Sequence, residues 1–241
     1  MVRVASLIAE VAEVVLPSLC VSCQDVLAGG DRGLCRDCWS RVIPASGERC
    51  PRCSGPSDAT AAPCLACHAS PPPQQGTVVW GEHEGVLRTA VLALKHHGHD
   101  ELAAPLAARL ATKVALADWA SEVEVVTAVP SHPFHRLRRG FSAAELLATA
   151  VAGECRLPAL ALLARRGLAR QAGRSRAQRL DLPERSFRAR ADLGGARVLI
   201  VDDVTTTGAT LRRAAHALLG AGADAVYCAA VASAPDGRRS S

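Results

Sequence analysis

The 241-residue chain predicts an α/β fold, a parallel sheet flanked by helices and preceded by a small metal-held module. Three observations carry this. The apolar run Val198-Leu199-Ile200-Val201 meets two adjacent acids, a Thr/Gly-rich turn and then a helical pattern, the mark of a strand buried on both faces. From residue 77 onward, apolar runs alternate with amphipathic helical patterns, as layered sheets require. Eight of the ten cysteines fall in four C-x-x-C pairs within the first 70 residues. A hydrophobic content of 49% with 21% charged residues excludes a disordered chain.

The elements follow in order. Val4, Leu7, Ile8, Val11, Val14 and Val15 recur at helical spacing, interrupted by Glu10 and Glu13, which predicts an amphipathic helix over residues 1–17. The stretch is too short and charged to span a bilayer and no small-residue cleavage site follows it, so no membrane span and a cytoplasmic location are expected. Residues 18–70 hold Cys20/Cys23, Cys35/Cys38, Cys50/Cys53 and Cys64/Cys67 at nearly equal intervals, an internal repeat of one knuckle. Each knuckle presents two thiolates, and two knuckles complete a tetrahedral zinc site. Prolines and glycines leave this segment little apolar material, so structural zinc has to supply its folding free energy. Pairing of neighbouring knuckles is the natural closure; interleaved pairing is the alternative. Cys155 and Cys228 stand alone and read as ordinary thiols.

Ser70-Pro71-Pro72-Pro73-Gln74-Gln75-Gly76 reads as a stiff polar linker over 71–76. The α/β domain then extends over 77–235, with a tail at 236–241. Thr77–Trp80 predicts a strand, Gly85–Leu94 and Glu101–Leu116 helices, and Val123–Val129 a strand ending at Pro130. Ser142 with Glu145 predicts a capping box opening a helix through Ala152. Val198–Val201 is the central strand, Leu211–Leu219 its helix and Ala223–Val231 the closing strand. The Lys95-His96-His97-Gly98-His99 turn reads as solvated and basic rather than as a metal site.

The chemistry concentrates after the central strand. Asp202 and Asp203 at its carboxyl end, where open α/β sheets hold ligands, can accept hydrogen bonds from sugar hydroxyls. Gly208 lets the backbone bend, and the following helix start offers N–H groups and a positive dipole end to a phosphate. Together they suit a ribose 5-phosphate. The loop Ser131–Gly140 opens on the same rim, and its arginines match phosphate in bidentate geometry. Residues 136–190 carry thirteen arginines against four acids, a local balance of +9 on a chain whose formal net charge is +5. That concentration points to an anionic partner such as pyrophosphate or nucleic acid.

The acid pair and turn resemble the phosphoribosyl-diphosphate motif of the type I phosphoribosyltransferases. The resemblance puts Asp202 and Asp203 on the ribose hydroxyls and Thr206, Thr207, Gly208, Ala209 and Thr210 on the 5-phosphate. Thr205 departs from it, standing where an aliphatic residue is usual. The order of the parts is similar to the ComF family of competence proteins: four Cys pairs, Leu94-Lys95, Val129-Pro130, Arg139-Gly140-Phe141, Gln171, Arg179, Phe187 and the Asp202-Asp203 motif. This implies a type I phosphoribosyltransferase-like sheet behind a double zinc ribbon, and a protein handling single-stranded DNA in natural transformation. Phosphoribosyl diphosphate or a nucleotide is the implied ligand, with Mg²⁺ and with Arg136, Arg138 and Arg139 on the pyrophosphate. Ser131-His132, Ser142-Ala143, Arg174 and Leu182 replace residues usual in the family, and these departures bear on transfer chemistry more than on binding. Two alternatives stay open. One is an active phosphoribosyltransferase of nucleotide salvage; the other is a non-catalytic adaptor whose zinc module docks a partner such as a helicase-like motor.

Overall fold

The structure is a computed structural model and describes residues 18–45, 47–57, 63–131, 142–165 and 186–234. The expected N-terminal helix and the C-terminal tail lie outside these residues. Two short helices, α1 (Arg36–Ser40) and α2 (Leu65–Ala69), each carry the last C-x-x-C cysteine of a tetrad. The sheet domain then runs β1 (Gly76–Glu82), α3 (Gly85–His96), α4 (Ala103–Ala115), β2 (Val125–Ala128), α5 (Ala143–Cys155), β3 (Leu163–Arg165), β4 (Phe187–Ala189), β5 (Arg197–Thr205), α6 (Ala209–Leu219) and β6 (Ala225–Ser233). A 3₁₀ turn, Asp100–Leu102, occupies the start of the second predicted helix.

Four strands form one all-parallel sheet in the order β1-β6-β5-β2. The β5 and β6 strands are central and buried on both faces, which is why Val198–Val201 and Ala225–Ala232 read as continuous apolar runs. Alternate residues divide between two cores. Leu199, Val201, Tyr227 and Ala229 pack with α3, α4 and α5; Val198, Ile200, Val226 and Cys228 pack with α6 and the β3–β4 ribbon. The antiparallel β3–β4 pair is three residues long on each side and was not expected. Runs that short show no period in a sequence. The capping box does not form: Ser142 is the N-cap of α5, yet its hydroxyl makes no cap hydrogen bond and is buried without a partner.

The cysteine module is not a separate bead. Cys20, Leu34 and Cys38 belong to the same core as Leu87, Leu94 and Leu102. Arg109 of α4 lies 3.7 Å over the Trp39 ring. Gly33 (φ +69°) passes so close to the 3₁₀ turn before α4 that a Cβ there would sit 2.3 Å from Leu102 Cδ2. The segment between the two tetrads runs beside β1, with Ala45 N–H donating to Trp80 O (2.9 Å) and Glu82 N–H to Ile43 O (3.0 Å). From the second tetrad, Pro51 O accepts from Thr77 N–H (2.9 Å) and Arg52 O from the Thr77 hydroxyl (2.7 Å). In the linker Gln74 is buried, and Gln75 N–H donates to Val226 O.

Candidate functional site

The two tetrads close sequentially, Cys20/Cys23 with Cys35/Cys38 and Cys50/Cys53 with Cys64/Cys67. Within each, the four sulfurs lie within 4.8 Å of one another. Cys23 and Cys35 sulfurs are 3.7 Å apart and Cys53 and Cys64 sulfurs 3.8 Å. A tetrahedron with metal–sulfur bonds of about 2.3 Å has edges of about 3.8 Å, whereas a disulfide needs about 2.05 Å. The repeat extends to the hydrogen bonds. Cys35 N–H reaches Cys20 Sγ and Cys64 N–H reaches Cys50 Sγ, each at 3.4 Å. Burial works against the Cys20 thiolate, but the backbone N–H groups of Cys23, Cys35 and Ser22 outweigh it and bring that thiol down to about 6. Balanced in the same way, Cys50 falls to about 7. Arg41 Nη2 donates to Cys38 Sγ (2.9 Å) and offsets charge at the first tetrad. The donor set and spacing fit zinc. Among the described residues only these two groups could hold a metal; His99 of the histidine-rich turn pairs with Glu101 instead (2.7 Å).

At the carboxyl rim of the sheet, β5 runs four residues beyond the predicted strand end. Asp202 stands opposite Ala230, Val204 opposite Ala232 and Thr205 opposite Ser233. The small residues of β6 continue the ladder to the rim, so the acids lie within the strand rather than after it. Adjacent strand residues point to opposite faces. Asp203 lies on the α3 side, 7% exposed, and its Oδ1 accepts from Val204 N–H (2.7 Å) and from Lys95 Nζ (2.7 Å). Asp202 lies on the face shared with Arg165 and Cys228 and accepts from Asp203 N–H (2.9 Å). Burial pushes the Asp202 carboxyl well above its ordinary range, and the like charge of Asp203 adds to this; Asp203 N–H and Lys95 pull the other way.

The turn follows without interruption. Thr206 and Thr207 are exposed, Gly208 adopts φ +70° at the N-cap position, and Ala209 and Thr210 form the first turn of α6. Thr207 Oγ1 accepts from Ala209 N–H at 3.4 Å. Gly208 at the N-cap has no side chain to cap the remaining N–H groups of the first turn. The predicted acids and turn residues are therefore brought together along one stretch of backbone. Arg136, Arg138 and Arg139 lie outside the described residues, as do Arg166 to Arg185 of the second basic run.

Two rim residues had not been singled out for the site. Lys95 sits in the last turn of α3, two residues before its C-cap region ends at His97. The Gly98 stop and the preceding amphipathic stripe are signals that could have placed it on a helix end rather than in a turn. Arg165 ends β3 and lines a cavity of ≈ 520 Å³ with Ala128, Pro130, Ser131, Thr149 and Leu163. This cavity adjoins the acid pair but is not lined by it.

Residues 137–241 match the family model of the phosphoribosyl transferase domain, and residues 11–68 match that of the double zinc ribbon domain. The chain is 31% identical over 220 residues to the DNA utilization protein YhgH of Escherichia coli K12, covering 88% of this chain and 96% of that protein. The proteins of that name from Salmonella typhimurium LT2 (31%) and Shigella flexneri (30%) match over the same shares. Among solved structures, glutamine phosphoribosylpyrophosphate amidotransferase from B. subtilis is 21% identical with a TM-score of 0.40, over 58% of this chain and 30% of that one. The family model and the parallel sheet order make the domain type I phosphoribosyltransferase-like, with the zinc-ribbon cysteines at its N-terminal side.

Proposed function

The chain belongs to the ComF family, that of the DNA utilization protein YhgH, and from that premise we propose that it handles single-stranded DNA in natural transformation and binds phosphoribosyl diphosphate or a nucleotide at its sheet rim. In this reading Asp202 and Asp203 take the ribose hydroxyls, and Thr206, Thr207, Gly208, Ala209 and Thr210 take the 5-phosphate. Mg²⁺ accompanies the pyrophosphate, with Arg136, Arg138 and Arg139 as its cationic partners. Both cysteine tetrads hold structural zinc.

The observation that carries the reading is the continuity of the rim: five residues lie between the first acid, Asp202, and Gly208, whose φ of +70° sets the α6 N-terminus close after the acids. Asp203 already holds Lys95, so a ribose hydroxyl has to use its other oxygen or displace the ammonium. The test is a thermal-shift and calorimetric titration of zinc-loaded protein with phosphoribosyl diphosphate and Mg²⁺, repeated on Asp203→Ala. Ligand at about 100 times its Kd stabilises by about 2.7 kcal/mol. No shift in the wild type ends the ribose-phosphate reading.

The DNA arm rests on the relatives' name and on the +9 balance of residues 136–190. It requires single-strand binding that weakens steeply with salt; absence of binding at low salt removes it. One observation favours active transfer as a second reading: the ≈ 520 Å³ cavity beside the acids leaves room for an acceptor.

A further inference from the structure

Resting on that reading of the rim, we propose that the neighbouring cavity seats a small planar carboxylate, gripped by Arg165, as the acceptor of the ribosyl group. The cavity lies at the β2 edge of the sheet, between α5 and the β3–β4 ribbon. Ala128 stands opposite Val201, and Val129 N–H donates to Val201 O (3.0 Å), so Val129 is level with Asp202 and the cavity wall at Pro130 and Ser131 lies just beyond it on the rim. A ring held there lies beside a sugar held by the acids.

The walls set the chemistry. Val126, Ala128, Ala148, Leu160 and Leu163 supply apolar surface suited to a ring, and Glu145 of α5 is the one acid in the lining, so a carboxylate has to sit at the Arg165 end. Thr127 and Arg190 are committed to holding the ribbon: the Thr127 hydroxyl accepts from Leu162 N–H (3.2 Å) and Arg190 Nε donates to Leu163 O (3.0 Å). Arg165 is not so committed. It is half-buried with its guanidinium 5.8 Å over the Phe187 ring, feels Asp202 electrostatically, and makes no hydrogen bond or ion pair to a described residue. A partly desolvated cation that makes no hydrogen bond to the described residues is costly, and a carboxylate offers its planar fork a bidentate partner. In the transfer, a ring nitrogen forms the bond to ribose C1 as the C1–O bond to pyrophosphate breaks. The bonding electron pair leaves with pyrophosphate, and the acceptor's proton, where it carries one, passes to solvent.

The test titrates zinc-loaded full-length protein by calorimetry with nicotinate and orotate, against their neutral counterparts nicotinamide and uracil, with and without phosphoribosyl diphosphate and Mg²⁺. At least one acid is expected to bind tenfold or more tighter than its neutral counterpart. Arg165→Gln should abolish that preference, Arg165→Lys should restore part of it, and Asp203→Ala should keep it while losing phosphoribosyl diphosphate. Zinc content and melting temperature establish that each variant is folded. Phosphoribosyl diphosphate binding without any preference for the acids, or a preference unchanged in Arg165→Gln, overturns the carboxylate seat and leaves the ribose site standing. Acid binding that depends on Arg165 while phosphoribosyl diphosphate never binds sinks the ribose-phosphate reading instead.

Discussion

Lys95 Nζ and Asp203 Oδ1 stand 2.7 Å apart, tying the last turn of α3 to the rim of the central strand. The carboxylate side of this pair is 10% exposed and the ammonium side 29%. Removing the lysine leaves a nearly buried charge whose one remaining hydrogen bond from the described residues is that of Val204 N–H. Lys95→Met should cost about 1–3 kcal/mol in denaturant unfolding, because one lost partner strands the other. The double variant Lys95→Met, Asp203→Asn should regain much of it. A cycle showing no coupling between the two positions contradicts the pairing.

The Asp202 carboxyl titrates higher in the folded protein than in the unfolded chain, pushed up by burial and by Asp203. Between the two values the native state binds more protons, so stability falls as pH rises through that window. Asp202→Asn should therefore melt higher than wild type at neutral pH, and the gap should close below the ordinary carboxylate range. A gain of about 1 kcal/mol reads as roughly 2–4 °C for a chain of this size. Equal melting curves at pH 7 count against the burial described for Asp202.

Loss of metal should affect the two tetrads unequally. Cys20 and Cys38 are part of the core that contains Leu87, Leu94 and Leu102, whereas the second tetrad meets the sheet domain through polar contacts, the hydrogen bonds of Thr77 and the Arg49–Glu82 ion pair. Elemental analysis should find two zinc ions per chain, falling to one in Cys38→Ser and in Cys67→Ser. The first variant should lower the melting temperature of the whole chain more than the second. The reverse order would show that the first ribbon does not support the domain core.

Gly33 faces Leu102 with no room for a methyl group and at a φ that favours glycine. Gly33→Ala should destabilise by about 1–3 kcal/mol through overpacking and backbone strain. Leu102→Ala in the same chain should recover part of the overpacking cost, though it opens a cavity of its own. Chemical denaturation of the two variants measures this directly; a neutral Gly33→Ala contradicts the close approach of the first ribbon to the 3₁₀ turn before α4.

Much of the site was legible because its chemistry is local. The acids, the Thr206–Thr210 turn and the helix after it are contiguous, and the C-x-x-C spacings limit how thiolates can meet. What was not legible depends on the third dimension. Lys95 lies more than a hundred residues from Asp203 in sequence, and a basic turn beside three histidines conceals a helix end. The three-residue β3 and β4 strands carry no period, so the ribbon that presents Arg165 left no trace. Charged residues normally mark a strand end; here the Ala230–Ser233 ladder carries the acids inside the strand. Ser142 and Glu145 have capping-box spacing, yet the serine hydroxyl makes no hydrogen bond to the helix N–H groups.

The segment between the tetrads lies along β1, and with Pro51 it engages Thr77 N–H, Trp80 O and Glu82 N–H outside the β6 ladder. It thus acts as a guard on that flank of the sheet, where bare strand edges recruit other chains into aggregates. Cutting the protein at the proline run to isolate its C-terminal half would strip this guard away. The two halves are then best regarded as one inheritance: a gene carrying the sheet without its cysteines would encode a sticky, self-associating product.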